Sequence, residues 1–297
     1  MSDTLVSINR KITGARKLES VVKTMKILAA SNIGQYEASV RSLAEYYRNI
    51  KLGLYVCLRE ATEIMSERKK GSQGKATTIG AIVFGSDQGL VGQFNDVLAD
   101  YVVQTLNAFP GEKYVWAVGE RIRARLEYSG VPVAGVYEVP TSIGAITPIG
   151  ARVLLESKEY RENNNDAQFY IFHNRPKTGS IYEHVNQRLL PLDEQWLHDI
   201  SEVRWPTKNL PESMHGKRDT LQALVREYLF VSLFRACSES LMSENATRLA
   251  AMQRAEKNIE ELLENLTREF HRMRQEAIDE ELFDVVSGSE VLVNFKN

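Results

Sequence analysis

Apolar residues recur at intervals of three and four along both ends of the chain. The stripe near the start has two phase slips, near residues 15–18 and 29–33. Its members are Leu5, Ile8, Ile12, Ala15, Leu18, Val22, Met25, Ala29, Ile33, Tyr36, Val40, Leu43, Tyr47, Ile50, Leu54, Cys57, Ala61 and Ile64. The stripe near the other end comprises Met252, Ala255, Ile259, Leu262, Leu266, Phe270, Met273 and Ala277. Such spacing is typical of a coiled-coil seam.

Proline and glycine are placed so that two very long helices can form. All 8 prolines lie between Pro110 and Pro211, and no glycine occurs between Gly216 and Gly288. Because proline breaks a helix interior and glycine weakens one, their absence permits helices at both ends. We predict a coiled-coil helix over residues 1–70 and a second helix with a tail over residues 213–297, each helix about 100 Å long.

The two predicted helices are suited to each other. Residues 1–70 carry 13 Lys/Arg against 7 Asp/Glu, a net charge of +6, whereas residues 217–297 carry 11 against 15, a net charge of −4. Exposed ion pairs stabilise by only tenths of a kcal/mol each, so the apolar seam must supply most of the attraction. The pattern therefore predicts a long antiparallel two-helix coiled coil.

The middle of the chain alternates between strand and helix patterns. The predicted strands are 78–84, 114–118, 133–139 and 168–172, and the predicted helices are 92–108, 121–128 and 146–161. This alternation favours a mostly parallel, Rossmann-like sheet with right-handed crossovers. The fold class is therefore mixed α+β, with a central α/β domain at 71–212 inserted into the coiled coil. Residues 66–77 and 205–216 are the predicted connections.

Composition excludes several classes of function. The formal net charge is −2, which gives no basis for bulk nucleic-acid binding. The 5 histidines have no metal-ligand spacing, and the 2 cysteines, Cys57 and Cys237, indicate a reduced setting without a disulfide framework. No apolar run reaches the roughly 18 residues that a membrane span needs.

Four segments carry a family resemblance. They are Val22–Ser31 (VKTMKILAAS), Ser86–Asn95 (SDQGLVGQFN), Ser243–Met252 (SENATRLAAM) and Arg274–Leu282 (RQEAIDEEL), the last followed by Val285–Gly288 (VVSG). In this order they resemble the signatures of the ATP synthase gamma subunit family, and the similarity spans nearly the whole chain.

The resemblance implies the central rotor shaft of an F-type ATP synthase or ATPase. In that role the chain couples ion flow to the conformational cycle of the catalytic subunits, without catalytic activity, cofactor or small-molecule substrate of its own. The implied partners are three alpha and three beta subunits, the epsilon subunit and the membrane c-ring, and not nucleic acid. We expect a peripheral membrane protein on the cytoplasmic face of a bacterial or archaeal cell membrane.

The resemblance also implies functional residues. Those expected to couple rotation to the alpha/beta ring are Lys23, Met25, Lys26, Arg248, Arg274, Gln275 and Asp279. Those of the family's loop motif are Ser86, Asp87, Gln88 and Gly89. The alternative for the charged residues is an ordinary solvated helix face, and the alternative for Met25 is a place in the core.

Three positions depart from the family pattern. Gln88 stands where an arginine is usual, Gln93 where glycine is common, and Asp279 where threonine is frequent. These departures indicate a divergent or second-copy form of the motor, and the sequence leaves proton and sodium coupling equally open.

Two other classes of function would account for parts of the pattern. The loop over residues 86–94 lies before a predicted helix and could cradle a phosphate, although it lacks both G-x-G-x-x-G and the lysine of a P-loop. A coiled-coil adaptor or scaffold outside the rotary ATPases would share the long helices. Nucleotide binding by the isolated chain would distinguish an enzyme, and genes for alpha, beta and epsilon nearby would distinguish a rotor subunit.

Overall fold

The computed structural model describes residues 2–68, 78–163, 167–192, 194–209, 211 and 217–294. Its helices are α1 (Ser2–Arg68), α2 (Phe94–Asn107), α3 (Glu120–Tyr128), α4 (Ile143–Asn163), α5 (Glu194–Ser201) and α6 (Lys217–Asn294). Its strands are β1 (Thr78–Phe84), β2 (Glu112–Val118), β3 (Val133–Tyr137), β4 (Gln168–Lys177) and β5 (Ser180–Leu190). The predicted long terminal helices and the predicted α/β middle are confirmed.

The strands form a single sheet in the order β3-β2-β1-β4-β5. The pairs β1/β2, β1/β4 and β2/β3 are parallel, as the strand–helix alternation predicts. β4 runs on to Lys177 and turns into β5, which pairs with it antiparallel. The sequence patterns predict neither β5 nor α5.

Both faces of the sheet are covered, so β1 is buried along its whole length. Ile79 and Val83 face a core formed with α2 and α3, which also contains Leu98 and Ile122. The alternate residues, such as Ile82, face a second core formed with the helices on the other side of the sheet. Burial on both faces explains why β1 is a continuous apolar run rather than an alternating one.

The chain divides into two compact units, one made of Met1–Leu28 with Leu249–Asn297 and the other of Ala29–Arg248. In the first unit the buried residues of the two helices are apolar or small, and they are Ile8, Ile12, Ala15 and Met252. In the second unit Ile50 and Leu54 of α1 pack with Tyr228 and Val231 of α6. Each unit therefore has its own part of the α1–α6 seam.

Burial along α1 follows an unbroken seven-residue repeat. The buried and partly buried residues at this period are Ile8, Ala15, Val22, Ala29, Tyr36, Leu43, Ile50 and Cys57. A second repeat of buried and partly buried residues lies four residues after the first, and it includes Glu19 and Lys26. Leu18, by contrast, is 59% exposed. The predicted phase slips are therefore wrong, and so is the seam position predicted for Leu18. Charged residues continue the repeat at positions where the prediction requires apolar ones.

The seam of α6 also differs from the predicted one. Its buried and partly buried residues at heptad spacing are Met252, Glu256, Ile259, Leu263, Leu266, Phe270, Met273 and Ala277. Leu263 lies in this seam, and Leu262, which the spacing predicts for it, is 47% exposed. Two adjacent leucines satisfy the same apolar pattern, and only the neighbouring helix decides between them.

The predicted domain boundaries at 70/71 and 212/213 lie outside the described residues and stay a prediction. The same holds for most of the predicted connection 66–77 and for part of the connection 205–216. None of the helices in the described ranges combines the length and the hydrophobicity that crossing a bilayer requires.

We predict that Gly119→Ala destabilises the inserted domain by about 2–4 kcal/mol in urea unfolding. Gly119 has φ +116°, and a Cβ there would lie 2.7 Å from the backbone carbonyl of Ser86. The control is Gly34→Ala in α1, where a Cβ meets nothing within 4 Å. We expect that control to stabilise by about 0.5–1 kcal/mol, as usual for glycine replaced in an exposed helix. Equal effects of the two substitutions would contradict this prediction.

Candidate partner-contact residues and the crevice filled by α6

The family loop motif is a structural clamp at the carboxyl end of β1. The two carboxylate oxygens of Asp87 accept hydrogen bonds from the backbone N–H groups of Glu120 and Val139, each at 2.8 Å. Asp87 thereby caps the start of α3 and holds the segment that follows β3. Such a cap satisfies one of the free N–H groups of a helix start and favours its dipole.

The same loop is closed by hydrogen bonds to its own residues. The backbone N–H of Ser86 donates to Oδ1 of Asn95 at 3.0 Å, and Nδ2 of Asn95 donates to the Ser86 hydroxyl at 2.8 Å. That hydroxyl in turn donates to the carbonyl of Gln88 at 3.0 Å. Gln88 itself is exposed. The buried polar groups of Ser86 and Asn95 are therefore satisfied within the loop rather than directed at a ligand.

The crevice where a doubly wound sheet usually binds its ligand lies between β1 and β4, because the strand order reverses there. Helix α6 occupies it. The hydroxyl of Ser240 donates to the carbonyl of Phe84, the last residue of β1, at 2.9 Å. The hydroxyl of Ser243 lies between two acceptors, the carbonyl of Asn174 in β4 at 3.0 Å and the carbonyl of Glu239 one turn earlier in α6 at 2.9 Å. Polar side chains of this chain thus fill the position that a nucleotide would take.

A buried histidine–carboxylate pair lies beside these contacts. Nε2 of His173 in β4 is 2.9 Å from Glu239 in α6, and the two side chains are 3% and 7% exposed. Nε of Arg235 donates to the other oxygen of Glu239 at 2.7 Å. Burial opposes ionisation of Glu239, but the hydrogen bonds and charges of His173 and Arg235 prevail and lower the pKa of the carboxyl group.

Arg248, one of the predicted contact residues, is paired within its own helix. It donates to Glu244 at 2.7 Å, and the side chains are only 12% and 7% exposed. Burial raises the pKa of Glu244, with a further increase from the negative charge of Asp87, while Arg248 acts in the opposite direction. Arg248 is thus mainly a buried counter-ion, and little of it is presented to solvent.

The predicted lysines lie in the first unit, and each has a carboxylate partner. Nζ of Lys23 is 2.6 Å from Glu19, one turn earlier on α1. Nζ of Lys26 is 2.5 Å from Glu256 of α6. Met25 lies between them and is partly buried. Since Lys26 and Glu256 both occupy seam positions, this ion pair joins the two helices across their interface.

The other predicted contact residues are exposed on α6. Arg274, Gln275 and Asp279 all point outward, next to the partly buried Met273 and Ala277 of the seam. Some of the predicted contact residues are therefore exposed, and others are paired or partly buried within the chain. Within the described residues, no group of three or more His, Cys, Asp or Glu side chains is placed to hold a metal ion.

The whole chain is similar to known proteins. Residues 4–292 match the family model described as ATP synthase. The chain is 26% identical to the ATP synthase gamma chain of Sorangium cellulosum, with 97% of this chain and 98% of that one covered. It is 27% identical to the ATP synthase gamma chain of Parafrankia sp., with 99% of each covered. The chain belongs to the ATP synthase gamma-chain family.

Solved structures of low sequence identity share the fold. The rotor of the Euglena gracilis mitochondrial ATP synthase matches with a TM-score of 0.62 at 17% identity, over 94% of this chain and 100% of that chain. A chain of the OSCP/F1/c-ring structure from the same organism matches with a TM-score of 0.64 at 16% identity, over 100% and 97%. These matches show the fold, and the family match over residues 4–292 makes the gamma-family chain a subunit of an ATP synthase, so the adaptor alternative is set aside.

The sequence patterns do not predict the crevice residues of this gamma-family chain. His173 and Glu239 are far apart in the chain, and their spacing follows no motif. The sequence carries one signal: serine, glutamate, asparagine and threonine residues are concentrated between Ser238 and Thr247, directly after the stretch 221–237, which is apolar on almost every side. Such a concentration indicates a helix face that contacts backbone or polar groups rather than apolar side chains.

We predict that the stability lost on Glu239→Gln depends on pH. Because the folded-state pKa of Glu239 lies below its unfolded value of 4.5, its contribution is complete above that value and is lost as the pH falls through the folded pKa. Urea unfolding should show a difference between wild type and variant of about 1–3 kcal/mol near pH 7, shrinking steadily below about pH 4.5.

The control is Glu37→Gln, which removes an exposed ion pair between Glu37 and Arg41 on α1. We expect this control to change the free energy of unfolding by less than about 0.5 kcal/mol at every pH. A pH-independent effect of Glu239→Gln would show that Glu239 is not bound as the ionised carboxylate.

Proposed function

We propose that this chain is the non-catalytic rotor shaft of its ATP synthase. In this proposal it turns within a ring of three alpha and three beta subunits and contacts the epsilon subunit and the membrane c-ring through the inserted domain. The observation that carries the proposal is the family match over residues 4–292, together with the antiparallel pairing of α1 and α6. We retain the division into a helix at 1–70, a domain at 71–212 and a helix with tail at 213–297.

The contents of the crevice support a non-catalytic role. Ser240 and Ser243 of α6 bind the backbone of β1 and β4 at the point where a nucleotide would bind an open α/β sheet. A nucleotide would have to displace α6 and leave these buried hydroxyl and carbonyl groups without partners, at a cost of about 1–3 kcal/mol for each group. ATP hydrolysis and synthesis therefore belong to the surrounding subunits in our proposal.

We place the assembled chain at the membrane periphery. The c-ring would hold it at the cytoplasmic face of a bacterial or archaeal cell membrane. Its attachment would rest on protein contacts, which is consistent with the absence of a membrane-crossing helix from the described ranges.

We propose that the exposed members of the predicted set contact the alpha/beta ring directly. Arg274, Gln275 and Asp279 offer polar and charged groups on α6, and Lys23 retains a side-chain exposure of 49% despite its pairing with Glu19. Weak, solvent-exposed charge pairs suit a rotating surface, because each contributes only about 0–1 kcal/mol and can be exchanged at every step.

Apolar residues on the outer side of α1 extend this proposed contact surface. Leu18, Val21 and Leu28 are 59%, 55% and 58% exposed, and partly buried Met25 lies between them at helical spacing. Apolar contacts are non-directional, so the surface can slide without breaking hydrogen bonds. In this proposal Lys26 acts indirectly, since its pair with Glu256 joins the two helices that present the surface, and Arg248 acts as the counter-ion of Glu244 within α6.

The assembly is tested by purifying the tagged chain from its native host and weighing the complex by native mass spectrometry. We expect a complex with three alpha, three beta and one copy of this chain, and with ATPase activity. Recovery of the chain alone, or with partners unrelated to an ATPase, would refute the rotor assignment. Nucleotide binding by the isolated chain in a calorimeter would refute the non-catalytic assignment.

The contact surface is tested with the double variant Arg274→Ala/Gln275→Ala. We expect its free energy of unfolding to stay within about 0.5 kcal/mol of wild type, since both side chains are exposed. ATPase activity of the assembled complex should fall about two- to fivefold, as expected for the loss of one or two weak contacts. Arg41→Ala, which removes an exposed arginine elsewhere on α1, should leave both quantities unchanged. Wild-type ATPase activity in the double variant would show that these residues do not belong to the proposed contact surface.

A further inference from the structure

Helix α6 changes from an apolar to a polar buried face where it crosses the sheet. Its buried polar residues in this stretch are Ser238, Glu239, Ser240, Ser243, Glu244, Asn245 and Thr247. An apolar helix face would bury at lower cost, because a buried polar group destabilises the fold unless it is hydrogen-bonded. The directional bonds made by this polar face therefore call for a functional explanation.

Three of these bonds join α6 to the sheet. Ser240 donates to the carbonyl of Phe84 at 2.9 Å. Ser243 shares its hydroxyl proton between the carbonyl of Asn174 in β4 at 3.0 Å and the carbonyl of Glu239 in α6 at 2.9 Å. Glu239 binds His173 at 2.9 Å. The three bonds arise from adjacent turns of α6 and reach both β1 and β4, so they fix the position of the helix along its axis and its rotation about that axis.

Asn174, whose backbone carbonyl accepts the bond from Ser243, is itself held in place. The side chain of Asn174 is fully buried, and its Nδ2 donates to the carbonyl of Phe94 at the start of α2 at 3.3 Å. Its Oδ1 is 2.7 Å from Nδ1 of His184 in β5. Because Asn174 is held from two further elements, a force on α6 is passed to the body of the sheet and not to a loose loop.

Directional bonds resist slip in a way that apolar contacts do not. If α6 moved by one turn, about 5.4 Å, its apolar side chains could find new apolar neighbours. The hydroxyls of Ser240 and Ser243 would lose both carbonyls at once, and buried carbonyls without partners are costly. A helix that must carry a mechanical load without shifting register is therefore better held by polar contacts at this point.

We propose that Ser240, Ser243 and the Glu239–His173 pair form the joint through which torque passes between the inserted α/β domain and α6. The proposal rests on the rotor function proposed above. It assigns these residues a positioning role: they hold the register of the shaft and touch neither nucleotide nor catalytic subunit. Their three bonds to the sheet resist slip of α6 under load.

The joint is tested with Ser240→Ala, Ser243→Ala and the double variant in the complete membrane-reconstituted complex. Each single variant loses one cross-element bond, a change that a folded domain tolerates. The matched control is Ser238→Ala, since Ser238 is fully buried two residues away and its hydroxyl has no hydrogen-bond partner among the described residues. Both the ATP hydrolysis rate and the number of ions pumped per ATP hydrolysed are measured.

For the double variant we expect hydrolysis at the wild-type rate and at least about a twofold fall in ions pumped per ATP, because each lost bond favours the slipped register by a factor of about five. Each single variant should show a smaller fall, and Ser238→Ala should match wild type. Loss of hydrolysis and pumping in equal proportion would overturn the joint, since it indicates a general folding defect. A pumping ratio equal to that of Ser238→Ala would overturn it as well.

Should the double variant fail to assemble, the single variants and Ser243→Thr decide the question. Ser243→Thr keeps the hydroxyl, so it should retain more pumping per ATP than Ser243→Ala, and the reverse order would overturn the joint. These results are distinct from a failure of the rotor function itself. In that case the wild-type chain would not assemble with alpha and beta subunits at all.

Discussion

Mutual burial of two helix stripes from opposite ends of the chain is the constraint on which the rest of the structure depends. Neither α1 nor α6 can bury its seam alone, and single helices of such length gain most of their stability from packing an apolar face. The seam residues of α1 keep a strict heptad repeat from Ile8 to Cys57, and those of α6 keep one from Met252 to Ala277. The α/β domain is inserted between these helices in the sequence.

Polar residues determine the register of the helices, which the apolar seam leaves open. Apolar contacts favour association but accept several registers, whereas a polar pair at a seam position accepts one. In the first unit this role falls to Lys26 and Glu256. In the second unit it falls to the polar face of α6, which binds the backbone of β1 and β4. The same physical device, a directional contact within a non-directional interface, thus recurs in both units.

The sequence predicts those features that local patterns determine. Long helices follow from the absence of proline and glycine, and the parallel strands follow from apolar runs between helices, so β1 was predicted with its observed bounds. Leu262 was chosen over Leu263 because periodicity alone cannot distinguish adjacent leucines. Strand β5 carries polar residues such as Glu183 and Gln187, and its strand state depends on pairing with β4. The crevice contacts join residues 66 or more positions apart in sequence, and no local pattern encodes them.

The charged seam position on α1 has a consequence for biosynthesis. A ribosome adds about 5–20 residues per second, so α1 emerges on the order of ten seconds before the first turn of α6. During that interval the apolar stripe of α1 has no proper mate, and newly made copies on one polysome lie close together. Glu19 and Lys26 occupy successive seam positions of α1, so charge interrupts the apolar stripe and pairing of α1 with another α1 buries less apolar surface there. Lys26, which pairs with Glu256 in the folded chain, thus also weakens association between growing chains.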